Sequence, residues 1–172
     1  FNSHVRSGVD TAAWEAALLA DLRFEAELAA GEPLDSIFFG GGTPSLMPPE
    51  LVARLLAEAE LLWGFAPDIE ITLEANPSSV ETGKFGALAQ AGVNRVSLGV
   101  QALDDDVLRF LGRLHDGNEA LVALETAQRH FKRVSFDLIY ARPGQSEAQW
   151  YRELARALDF GTGHLSLYQL TI

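Results

Sequence analysis

Phe38-Phe39-Gly40-Gly41-Gly42-Thr43-Pro44-Ser45 decides how this chain is read. An apolar strand end runs into three consecutive glycines, a hydroxyl and a proline. Glycines placed where a strand stops let the backbone approach a ligand closely and leave its N–H and C=O groups free to bind it. Glu74-Ala75-Asn76-Pro77, Gly99-Val100-Gln101 and Asp137-Leu138-Ile139-Tyr140 repeat the arrangement, with polar residues at the ends of further apolar strands. Four such ends in one short chain outline a site.

Working outward from those ends, helical and strand patterns alternate. Strands are expected at about 36–40, 69–75, 95–101, 133–139 and 164–170. Residues 11–30 read as a helix with Trp14, Leu18, Leu22 and Ala26 on one face, ended by Gly31 and Pro33. A second helix covers 48–63, opened by Pro48 and Pro49 and closed by Gly64. Ser78 with Glu81, and Ser146 with Gln149, fit capping boxes for helices that end near Gly92 and Gly161. Asn118 is the expected cap of another, with Ala120, Leu124, Ala127 and Phe131 as its stripe. Asp104, Asp105 and Asp106 open a short helix as a solvated cap favoured by the helix dipole, rather than as a metal site. Order β-α-β-α with short links predicts a parallel α/β sheet with right-handed crossovers. The first helix has no strand before it, so a regular pattern lacks one strand on the N-terminal side.

Alternation within the strands describes a cavity. Ile69, Ile71, Leu73 and Ala75 oppose Glu70, Thr72 and Glu74; Val96, Leu98 and Val100 oppose Ser97, Gly99 and Gln101; Val134, Phe136 and Leu138 oppose Ser135 and Asp137. A doubly wound sheet needs near-continuous apolar strands, and a closed barrel fills its interior with branched aliphatics. Here one face is apolar and the other small and polar. That predicts an open, partial barrel whose lumen holds a polar ligand at the C-terminal ends of the strands.

Composition sets limits on partners. With 172 residues, 48% of them hydrophobic, the chain can build one domain with a core. A net charge of −11 argues against nucleic acid or an anionic membrane as a bulk electrostatic partner. No apolar run reaches the length of a membrane span and no signal peptide is evident. There are no cysteines, hence no disulfide and no thiolate metal site. The chain begins at Phe1 and its single methionine is Met47, which reads as a piece excised from something longer.

Single residues divide between chemistry and structure. Glu74 faces the lumen beside its companions, as a ligand carboxylate would. Asp137 lies between Phe136 and Leu138, where an unpaired carboxylate is costly, and is expected to meet a ligand hydroxyl or amine. Gln101 suits either a ligand or a buried backbone group. Arg113 and Arg142 suit a carboxylate or phosphate, or a surface ion pair. His4, His115, His130 and His164 lack metal spacing, and the glycine triplet lacks the lysine of a phosphate loop.

Taken together these motifs resemble the radical S-adenosylmethionine (SAM) superfamily, within it the branch of oxygen-independent coproporphyrinogen III oxidases and HemW-type heme chaperones. GGGTPS, EANP, GVNRVSLGVQ, LGRLH and DLIYARPGQ occur in order, and HLSLYQLTI looks like the strand that closes the radical core. The opening Phe1-Asn2-Ser3-His4 looks like the stretch just after the CxxxCxxC motif of HemW-like members. The resemblance implies a partial (β/α)6 barrel lacking its first strand, with residues 1–172 forming one radical SAM core fragment.

In that family three cysteines bind a 4Fe–4S cluster and SAM chelates the remaining iron; its reductive cleavage yields a 5′-deoxyadenosyl radical. The resemblance assigns Gly41, Gly42 and Thr43 to the methionine moiety, and Glu74, Gln101, Arg113 and Asp137 to further SAM contacts; Thr171 aligns near another but differs in type. It implies a cytoplasmic protein that binds SAM, a 4Fe–4S cluster and heme or porphyrin, with heme-accepting proteins as partners. The HemW-like chaperone is favoured over the oxidase by the FNSH opening and the YQLTI close. Outside both stands a barrel fragment that binds a phosphorylated metabolite at the glycine triplet, which would need a basic partner there. Two departures stand out. The cluster cysteines are absent, so no metal ligand is assigned and no radical chemistry is expected of this chain alone. The family's Gly-Leu-Pro after the Asp137 strand reads Ala141-Arg142-Pro143.

Overall fold

The structure, a computed structural model, describes residues 10–29 and 31–171. Five strands, β1 (Leu34–Phe39), β2 (Phe65–Ala75), β3 (Arg95–Gln101), β4 (Arg133–Tyr140) and β5 (Gly163–Gln169), form one sheet in sequential order. Every adjacent pair is parallel. Between them run α2 (Pro49–Trp63), α3 (Ser79–Thr82), α4 (Phe85–Gln90), α5 (Asp105–Phe110), α6 (Gly117–His130) and α7 (Glu147–Leu158), with α1 (Thr11–Leu28) ahead of β1. Sequential parallel strands with helices on one face curl into a half-barrel, as the alternation requires. No described helix is long and apolar enough to cross a membrane.

The core lies between the sheet and its helices. Leu73, Val96, Leu98, Val100, Phe136 and Leu138 are fully buried on the sheet side. They pack with Val52 and Leu56 of α2, Phe85 and Leu88 of α4, and Ala120, Leu124 and Ala127 of α6. Burying a side chain of this size contributes about 1.5–3 kcal/mol, so this layer carries most of the fold's stability.

On the lumen face the strand starts are closed by charge. Glu70 takes Arg95 and Arg133 at 2.6 Å each, and Arg95 also donates to Ser135 Oγ at 3.3 Å. Asn94 ties β2 to the start of β3, accepting from Ile71 N–H at 2.9 Å and donating to Ile69 O at 2.8 Å. Thus Asn94 and Arg95 of the GVNRVSLGVQ motif brace the closed end of the barrel, and the open end is left to the site.

Three expectations change in detail. The helix after Ser78 is two, α3 and α4, and the break at Gly83–Lys84 lets Phe85 and Leu88 enter the core. The cap of α6 is Asp116, not Asn118: Asp116 accepts from Glu119 N–H at 2.8 Å while Glu119 accepts from Asp116 N–H at 3.1 Å, a full capping box. Ser146 and Gln149 form the expected box of α7. Finally, no residue of α1 is buried, and Trp14 is exposed. Trp14, Leu18 and Leu22 instead face a groove of about 990 Å³ along the outer edge of β1, which pairs with no described strand. A strand missing from the regular pattern would lie against this edge.

Candidate functional site

The glycine triplet sits where β1 ends. Gly41 (φ +79°) and Gly42 (φ +39°) take left-handed backbone that a side chain would oppose, and no atom lies within 4 Å of where their Cβ atoms would stand. Both glycines are exposed. Thr43 follows half-buried, and Pro44–Leu46 close a single 3-10 turn whose Ser45 is fully buried.

What holds this loop is Glu81, which the sequence presents only as half of a capping box with Ser78; that box is not completed, because the Ser78 N–H donates to Asn76 O and the Glu81 carboxylate is engaged elsewhere. Its buried carboxylate accepts from Ser45 Oγ, from Asn76 N–H at 2.6 Å, and from Asn76 Nδ2 and Ser78 Oγ at 3.3 Å each. Glu81 thereby joins the GGGTPS loop to the EANP loop, and it is buried with no cation paired to it among the described residues. A carboxylate in such a place is retained through its hydrogen bonds.

The polar strand ends face one lumen. Glu74 lies between the buried Leu73 and Ala75, on the face opposite them, and its Oε2 would stand 3.6 Å from a Cβ at Gly40. A Cβ at Gly99 would stand 3.0 Å from Gln101 Nε2 and 3.7 Å from Asn76 Oδ1, so the Gln101 amide folds over Gly99 toward the EANP end. Asp137 lies between the buried Phe136 and Leu138, with Ser166 as its register partner on β5. Its carboxyl pKa is pushed up to about 6, first by burial and further by Glu74; the Ser166 hydroxyl, Arg113 and His164 pull the other way. Arg113 is half-buried and makes no ion pair among the described residues; burial lowers its pKa while the Asp137 charge opposes that. Glu74, Asp137 and Arg113 thus share one electrostatic neighbourhood.

Other candidates separate from it. Arg142 is not a surface residue: its side chain is buried against Glu153. Thr171 is exposed just past β5. His130 lies in the last turn of α6, at the carbonyl end of the helix. His4, the Phe1–His4 opening and the terminal Ile172 fall outside the described residues. Among the described residues no group of three or more His, Cys, Asp or Glu could hold a metal ion. Among the described residues no basic side chain lines the groove beside the glycine triplet.

A family model, that of the radical SAM superfamily, matches residues 15–157. The chain belongs to the radical SAM superfamily. It is 42% identical over 173 residues to the bovine radical S-adenosyl methionine domain-containing protein 1, mitochondrial, covering all of this chain and 39% of that protein. It is 39% identical over 174 residues to the heme chaperone HemW of Escherichia coli K12, covering all of this chain and 46% of that protein. The chain spans less than half the length of these curated relatives. Coproporphyrinogen III oxidase (HemN) from Escherichia coli, described as a radical SAM enzyme, superposes with a TM-score of 0.82 at 27% identity, over 97% of this chain and 39% of that one. The expected family and the expected partial α/β barrel are therefore both present.

Proposed function

We propose that this chain is the SAM-binding part of a HemW-type heme chaperone, with residues 1–172 forming one core fragment of it. The observation that carries this reading is the pairing of Glu74 and Asp137 in one lumen with a single guanidinium, Arg113, in reach. Two carboxylates with one guanidinium and the His164 imidazole around them favour a ligand that brings positive charge of its own, together with a carboxylate for the arginine. SAM has both: an ammonium and a sulfonium, and a carboxylate. At Gly40 and Gly99 a Cβ would collide with the Phe38 ring and the Gln101 amide, so glycine at these two strand ends is what lets those side chains lie where they do.

In this reading the peptide groups of Gly41 and Gly42, with Thr43, receive the methionine end of the ligand. Glu74 accepts hydrogen bonds from it, Arg113 pairs with its carboxylate, and Asp137 and Gln101 take its remaining polar groups. Bound next to a 4Fe–4S cluster, SAM supplies the radical chemistry for which the superfamily is named. The described residues do not fit that cluster, because the chain has no thiolate. Its ligands, and the residues that bind heme, belong in this proposal to the rest of a longer protein. A cytoplasmic site of action and heme-accepting partner proteins are part of the proposal; relatives named as heme chaperones come from several bacteria.

The chaperone is favoured over the oxidase because identity to the HemW relatives is 34–41%, against 27% to the oxidase. The deciding assay gives the full-length protein, reconstituted under anaerobic conditions, both coproporphyrinogen III and heme. Stable heme binding and transfer without decarboxylation are expected. Rapid decarboxylation to protoporphyrinogen without retained heme would restore the oxidase.

A further inference from the structure

Gln101 has a backbone conformation that its residue type disfavours. It ends β3 at φ +70°, and across it Ala102 N–H donates to Val100 O at 2.9 Å. These close a three-residue turn of the rare, strained hand. The β3–β4 register slips at the same point: Leu98 pairs with Phe136, yet Gln101 pairs with Leu138. Strain of this kind persists only where the surroundings over-determine it, and it collects at ligand sites.

Two groups from other elements grip this turn. His115, buried in the loop between α5 and α6, stands with Nε2 3.0 Å from Val100 O. A carbonyl can only accept, so the His115 proton sits on Nε2 and the ring donates to the same oxygen that closes the turn. On the other side Glu153 of α7 accepts from Leu103 N–H at 3.2 Å. Glu153 is fixed by Arg142, whose Nη1 is 3.2 Å from Oε1 and whose Nη2 reaches Oε2; both side chains are about nine-tenths buried. The turn is therefore held at Val100 and at Leu103, on both sides of Gln101.

We propose that His115 and the buried Arg142–Glu153 pair are positioning residues, which hold the Gln101 amide over Gly99 and aim it at the ligand in the lumen. The proposal rests on the reading of the lumen as a SAM site with Gln101 as one of its contacts. It gives Arg142 a role: the arginine that departs from the expected Gly-Leu-Pro loop locks the end of β4 to the end of β3. Asp137 and Gln101, on neighbouring strands, are thereby set relative to each other by one ion pair behind them.

The test is a double-mutant cycle on SAM affinity, measured by anaerobic equilibrium dialysis with the full-length, cluster-loaded protein. Glu153→Leu removes the acceptor for Leu103 N–H and should weaken SAM binding about tenfold, the loss that one misplaced polar contact brings. In a Gln101→Ala background the same change should cost no more than about twofold, since the amide it positions is gone. The double variant Arg142→Met, Glu153→Gln keeps an acceptor for Leu103 N–H without the charges and should hold affinity within about threefold of wild type. Should Glu153→Leu not fold, Arg142→Met alone takes its place in the cycle. Equal losses in both backgrounds, or no loss in either, overturn the positioning role. If Gln101→Ala itself binds SAM as wild type does, the assignment of Gln101 as a ligand fails first, and the positioning role falls with it.

Discussion

Replacing Asp137 by asparagine should make the ligand-free chain more stable at neutral pH while it weakens the site. The carboxyl pKa rises from an ordinary 3.8 to about 6, so the folded chain holds the proton more tightly than the unfolded one. The stability this group contributes is complete below the unfolded pKa and is lost as pH rises through about 6. Above that, the ionised carboxylate costs about 3 kcal/mol if fully sealed, and about 1–2 kcal/mol once water in the open cleft screens it. Asparagine keeps the shape and an acceptor for the Ser166 hydroxyl but carries no charge. Urea unfolding of both chains should show the variant more stable by about 1–2 kcal/mol near pH 8, with the gain roughly halved near pH 5. Every other titrating group is common to the two chains, so the difference isolates Asp137. A variant no more stable near pH 8, or a gain that does not change with pH, would refute the burial of an uncompensated carboxylate. A gain in stability bought with lost binding is what a ligand site predicts.

Three further outcomes can be checked. Ala141, at φ +59°, is a non-glycine residue in left-handed backbone, and Ala141→Gly should stabilise the chain by about 0.5–1 kcal/mol in the same urea assay. Glu81→Ala leaves the Ser45 hydroxyl and the Asn76 N–H without their acceptor and should cost about 2–4 kcal/mol, read as a lowered denaturation midpoint with unchanged slope. This chain by itself, reconstituted anaerobically with iron and sulfide and then desalted, should retain no cluster, since it has no cysteine; near-stoichiometric iron and sulfide would contradict that.

Features with a period or a turn residue were legible in the sequence. All five strands fall close to their expected positions, β2 beginning at Phe65 rather than Ile69, and the stripe Ala120, Leu124, Ala127 and Phe131 is buried as its spacing requires. The lumen face follows from the same alternation, which is why Glu74, Gln101 and Asp137 were readable as one set. Contacts between distant segments were not. Glu81 reaches Ser45 across 36 positions, and Glu70 reaches Arg133 across 63; no local pattern marks either pair. Asn118 reads as the cap of α6, since glycine is unfavourable inside a helix, yet Gly117 is the first helical residue after the Asp116 cap. The left-handed turn at Gln101 was hidden for the opposite reason. Glutamine gives no sign of positive φ, and only the partners at Val100 and Leu103 impose it.

The most direct measurement is a crystal structure of the full-length protein, its cluster reconstituted under anaerobic conditions, with SAM bound. SAM should lie in the lumen at the C-terminal ends of β1 to β4. Its methionine end should meet the peptide groups of Gly41 and Gly42, with Glu74, Gln101, Arg113 and Asp137 within hydrogen-bond distance of its polar atoms. SAM bound elsewhere, with those four side chains facing only water, would contradict the assignment of this half-barrel as the SAM site.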